Sequence, residues 1–130
     1  VRLVDPGDRA DLAHWLPRSE PHLAAALALD GAGFTIYNLL DAIIDGEVQL
    51  WVGEHSAMAT HLRDYPSGRC CVIWLAGGNL DEILAADPII AAYAREKGCV
   101  QVELHGRRGW EKTLRPLGYE FQHVMVLKKL

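Results

Sequence analysis

The chain has no apolar run approaching the roughly 20 residues that a membrane-spanning helix requires, so no membrane association is expected. It has no basic excess either: 13 Lys and Arg stand against 17 Asp and Glu, for a net charge of -4. That balance argues against general nucleic-acid binding, which needs a positive surface to follow phosphates. The opening "VRLVDPGDR" lacks the basic and apolar regions of a secretion signal, which predicts a cytoplasmic protein. Cysteine is scarce and badly spaced for chemistry. Cys70 and Cys71 are adjacent and Cys99 is distant, so there is neither a zinc spacing nor a CxxC pair. Neighbouring strand residues point to opposite faces, so the vicinal pair cannot grip one metal, and all three thiols are expected to be inert. The six histidines show no HExxH spacing and there is no GxSxG elbow. No metal is expected.

What is present fits one compact domain over residues 1–130, with N-terminal helices over 1–46 and a sheet with two flanking helices over 47–130. "GDRADLAHWL" predicts a helix ended by Pro17. Ser19 caps a second, "EPHLAAALALD", stopped by Gly31, and Thr35 opens a third with Gly46 as its left-handed cap. The period then changes from helical to alternating. "VQLWVGE", "SAMATHLRDY" and "RCCVIWLAG" read as three strands joined by tight turns, an antiparallel meander. A helix follows over 79–97, interrupted at Pro88. Then come the strand "CVQVELHG", the short helix "RRGWEKTLRPLG" and a final strand or two in "YEFQHVMVLKKL". The crossover from Cys70 to Leu104 should lay its two strands parallel or splayed side by side. This is an α/β sandwich with a mixed, mostly antiparallel sheet.

Two groups of residues carry candidate chemistry. His105 ends a strand where the parallel pair should part, and an imidazole titrating near neutrality can act as a base. Glu103, two residues earlier on the same face, can orient it. Arg107 and Arg108 open a helix where the macrodipole favours acidic residues, a local conflict that points to an anion or a partner's carboxylates. Trp110 beside them suits a contact with a partner surface.

The element order and the ending "TLRPLGYEF" resemble the GNAT N-acetyltransferase superfamily, with Gly118 and Tyr119 in the place of its Gly-Phe signature. More narrowly, "QLWV", the "YP" turn, "LAGGNLDE" and "GRRGWEKTLRPLGY" are similar to small GNAT-like proteins encoded by phages and prophages. The resemblance implies a GNAT-like three-layer α/β sandwich. It also implies an acetyl-CoA site at Leu75, Ala76, Gly77, Gly78 and Asn79, where the superfamily seats pyrophosphate on a Gln/Arg-x-x-Gly-x-Gly/Ala loop. This chain departs from the pattern. Its loop has no basic residue, Asn79 and Glu82 predict a capping box over the helix N-terminus, and Asp81 adds negative charge. Leu114 stands where catalytic members carry the tyrosine that protonates the departing thiolate. The expectation is a GNAT-fold protein of phage or prophage type, non-catalytic or degenerate, with no cofactor. It would act through a phage or host protein partner, in the cytoplasm or with the virion. The alternative is a divergent acyl-CoA-dependent N-acetyltransferase using His105 and Glu103.

Overall fold

The computed structural model describes residues 1–30, 33–106 and 109–130. Gly31, Arg107 and Arg108, to which the sequence assigns a helix stop and an anion site, lie outside the described residues. A two-residue strand, β1 (Arg2–Leu3), opens the chain in a region expected to be helical throughout. It is held by antiparallel pairing to Trp51 and Val52, and by Arg2, whose guanidinium donates to both carboxylate oxygens of Asp11.

Helix α1 (Arg9–Asp30) is one helix of 22 residues, not two: Pro17 and Pro21 both lie inside it. Each proline removes one backbone donor and disfavours the preceding turn. Leu12, Ser19, Leu23 and Leu27 are nevertheless buried, with Leu16 packed between them, a single stripe at helical spacing that crosses both prolines. Packing of that stripe on the sheet outweighs the local preference, and the Arg18 guanidinium donates to the His14 carbonyl. Ser19 is thus a buried stripe residue and no cap. Helix α2 (Ile36–Ile44) starts as expected, from a Thr35–Asn38 capping box, and Gly46 follows it at φ 79°.

The sheet has the order β1-β2-β3-β4-β5, with β2 (Gln49–Val52), β3 (Ser56–Tyr65), β4 (Gly68–Gly78) and β5 (Cys99–Leu104). The first four run antiparallel; β5 is parallel to β4. Between them the chain crosses over through α3 (Leu80–Ala85) and α4 (Asp87–Glu96), divided at Ala86 just before Pro88. After β5 come α5 (Trp110–Leu114) and a 3-10 turn (Arg115–Leu117) closed by Gly118 at φ 93°.

Two cores form on the two faces of the sheet. Leu50, Val52, Ala57, Ala59 and Leu75 pack under α1 and α2, while Trp51, Met58, Cys71 and Ile73 pack under α3 and α4. Cys70 and Cys71 are both fully buried, and burial pushes the Cys71 thiol up to about 11, so neither offers a thiolate. The expected final strand does not form. Residues 119–130 carry the apolar composition of a strand but no ladder, and a strand exists only through its pairing.

Candidate functional site

The site is built where β4 leaves β5. Ala59 pairs with Leu75 but Thr60 pairs with Ile73, so Trp74 is an extra residue in β4. Such a bulge bends its strand and puts two consecutive side chains on one face. The last parallel pair is Ile73 with Leu104, followed by one bond from the His105 N–H to the Ile73 carbonyl at 3.2 Å. Beyond it β4 continues to Gly78, whereas β5 ends at Leu104. The wedge encloses a cavity of about 60 Å³, lined chiefly by Trp74, Leu75 and Ala76 of β4, Leu104 and His105, and Trp110. That is room for a few water molecules. Trp110 sits against Gly106, where an added Cβ would come within 2.9 Å of the indole. Glycine at 106 is therefore what lets the indole close this rim.

Beside the wedge, on the sheet face under the α1 layer, lies the polar pair expected from the sequence. His105 Nε2 is 3.3 Å from Glu103 Oε2. Two further donors converge on the same carboxylate: Tyr65 Oη gives to Oε2 at 3.3 Å and Gln101 Nε2 to Oε1 at 3.0 Å. Burial raises the Glu103 pKa, but hydrogen bonds from Gln101, His105 and Cys70 outweigh it, and the carboxyl lies below its ordinary value. Glu103 is ionised at neutral pH and holds the imidazole from one side. His61 stands on β3 opposite Val72, the residue that also faces Glu103. Burial keeps its pKa below the ordinary histidine value. Gln101 was legible as the residue two before Glu103 on the same face. Tyr65 was not, because only the cross-strand register brings it there.

The loop over 75–79, implied as an acetyl-CoA site, leads into a helix start that is tied to the β2–β3 turn. Asn79 Oδ1 accepts from the Glu82 N–H at 3.0 Å, as predicted. The reciprocal half of the capping box is absent, since the Asn79 N–H goes to the His55 carbonyl at 2.9 Å. The Glu82 carboxylate instead spans to the β2–β3 turn. It accepts from the His55 N–H at 3.0 and 3.1 Å and from Ser56 Oγ at 2.8 Å. The His55 and Ser56 hydrogen bonds hold its carboxyl below the usual range. Gly53 leaves room for it, as a Cβ there would overlap a carboxylate oxygen. Gly77 and Gly78 have the same kind of reason. A Cβ on Gly77 would strike the His22 carbonyl of α1, and one on Gly78, at φ 103°, the His55 carbonyl. The glycines admit a helix and a turn. A pyrophosphate at this helix terminus would meet Asp81 and Glu82, so the residues present do not fit it.

The remaining candidates divide. Leu114 is buried. Tyr119 donates its hydroxyl to Asp87 Oδ1 at 2.7 Å; burial and that bond raise its pKa. Among the described residues no three His, Cys, Asp or Glu side chains gather as a metal would need, and no helix is long and apolar enough to cross a membrane.

No family model and no curated protein matches the chain. Solved structures do. A ribosomal-protein-alanine N-acetyltransferase from Brucella melitensis aligns with a TM-score of 0.60 at 12% identity, over 87% of this chain and 94% of that one. A Trypanosoma brucei acetyltransferase aligns at 0.61 and 12%, over 99% and 97%. An aminoglycoside acetyltransferase from an uncultured soil sample, solved with sisomicin, aligns at 0.61 and 9%, over 99% and 94%. At such identities the likeness is one of architecture, a mixed α/β fold with a mostly antiparallel sheet and helices. The chain has the GNAT-like acetyltransferase fold.

Proposed function

We propose that this protein is a degenerate GNAT-fold protein of the phage or prophage type, acting through protein contacts in the cytoplasm or within the virion. The observation that carries this reading is the Glu82 carboxylate, bound by His55 and Ser56 at the first turn of α3. A carboxylate of the chain stands at the first turn of α3, beside the loop expected to receive the phosphates of acyl-CoA, and with Asp81 it would repel another anion there. Trp110, partly buried at the rim of the wedge, supplies an aromatic contact. Arg107 and Arg108, just before it in sequence, supply guanidinium forks for a partner's carboxylates.

A second reading, a divergent acyl-CoA-dependent N-acetyltransferase, is favoured by one observation, the Glu103–His105 pair beside the wedge. There Glu103 would hold the imidazole and His105 would take the proton of an acceptor amine. Calorimetry and thermal melting with acetyl-CoA separate the two readings. The first expects no heat and no shift up to millimolar ligand. Saturable binding, with about 2.7 kcal/mol of stabilisation at a hundredfold excess over Kd, would replace it by the second.

A further inference from the structure

A cavity larger than the wedge's lies where α1 passes the β2–β3 turn. It holds about 210 Å³ and shares no lining residue with the wedge. Trp15, Arg18, Ser19 and His22 line it from α1, at the three- and four-residue spacing that puts them on one helix face; Glu54 and Ser56 line it from the turn. Ser19 is 2% exposed, yet its hydroxyl has no hydrogen-bond partner among the described residues. No side-chain oxygen or nitrogen among them is sealed from the surface unpaired, so the Ser19 hydroxyl opens onto the cavity. A hydroxyl so placed calls for a partner from outside the chain. We propose that the cavity binds a small organic monocarboxylate, held by the Arg18 guanidinium and the Ser19 hydroxyl with its carbon chain against the Trp15 indole.

The charges around the cavity select its ligand. Arg18 gives one N–H to the His14 carbonyl and forms no ion pair among the described residues, so the rest of its fork is free for a carboxylate. His22 has no hydrogen-bond partner among them either, and it adds a ring nitrogen to the lining. Ser56 spends its proton on Glu82. Glu54 stands in solvent, its side chain 86% exposed. With Glu54 and Glu82 close by, a dianion such as phosphate is repelled more strongly than a single carboxylate. The Trp15 indole offers an apolar wall, which an inorganic ion leaves unused. The volume is below the roughly 300 Å³ at which sites for larger ligands begin, so the acid has a few carbons and is no CoA thioester. Because its lining is separate from the wedge's, the cavity takes its ligand whether or not acyl-CoA binds.

Amide NMR on the full chain, titrated with sodium propionate at constant ionic strength, tests the site. Saturable shifts are expected at the amides of 15–22 and 53–56, with half-saturation on the order of 1 mM. Arg18→Gln and Ser19→Ala should each weaken binding about tenfold or more, as the loss of a hydrogen bond to a charged group does. Ser19→Ala should leave the melting temperature no lower, because the hydroxyl bonds nothing in the free chain. A lower one would show that hydroxyl engaged within the protein and overturn the proposal. Propionamide, of the same size without the charge, and sodium phosphate should not saturate the same amides. Equal binding of the amide, or tighter binding of phosphate, overturns the choice of a carboxylate. Shifts that grow linearly with propionate, or saturable ones that survive both substitutions, overturn the site itself.

Discussion

Thr60 is fully buried at the middle of the sheet, where an unpartnered hydroxyl would be costly. It is the middle link of a chain of three: the Trp51 indole N–H donates to Thr60 Oγ1 at 2.9 Å, and Thr60 Oγ1 donates to Gln49 Oε1 at 3.0 Å. Thr60→Val keeps the shape but strands the indole donor and the glutamine acceptor together. Leaving a buried polar group unpaired costs about 1–3 kcal/mol, so chemical denaturation should show a loss in that range at an unchanged m-value. A neutral result would mean that the indole does not need the hydroxyl. Nothing in the sequence marks Thr60, because its partners lie on the next strand and only the register β2–β3 aligns them. Glu103 and His105 differ: strand alternation alone puts them on one face. The residue scale is legible where partners are local and opaque where a ladder brings them together.

At the scale of elements, the same divide explains which predictions held. Helix α2 carries its own cap and stop, and both formed where expected. Helix α1 was read as broken, because proline is a local signal, whereas the stripe Leu12, Leu16, Ser19, Leu23, Leu27 acts only through the sheet beneath it. The start of α3 was read as self-contained. Half of that cap is local, through Asn79, and half is tertiary, through Glu82 and the β2–β3 turn. The tertiary half has a pH signature. Its hydrogen bonds place the Glu82 pKa below the ordinary 4.5, so its stabilisation is complete above that value and is lost as pH falls through the lower folded value. Glu82→Gln should therefore melt below the wild type at pH 7, with the gap narrowing as the pH falls below 4.5. A gap independent of pH would show that charge is not what binds α3 to the turn. The wedge was legible from the crossover; its closing by Trp110 over Gly106 was not, since both belong to a contact that forms after β5 has ended.

At the scale of the whole molecule, two cores on opposite faces of one sheet both draw on β4, as they do on β2 and β3. Cys71 and Ile73 serve one core and Leu75 the other, because the extra residue at Trp74 moves Leu75 to the face opposite Ile73. Gly77 is where α1 is set down on that strand. The obstacle to a side chain there is the His22 carbonyl, part of a helix backbone that cannot yield as a side chain would. Gly77→Ala must lift α1 or displace β4, and either loosens the core around Leu23 and Leu27. Overpacking of this kind costs about 1–3 kcal/mol, and the upper end is expected because the atoms obstructing the new Cβ are helix backbone. Gly109 is the control. It has φ -60° and nothing within 4 Å of an added Cβ, so Gly109→Ala should stay within about 0.5 kcal/mol. Denaturation midpoints for the two variants decide what the glycines are for. A large loss at 77 with none at 109 assigns Gly77 to the docking of α1. Equal, small effects would free Gly77 from that duty and favour the acyl-CoA reading of the loop.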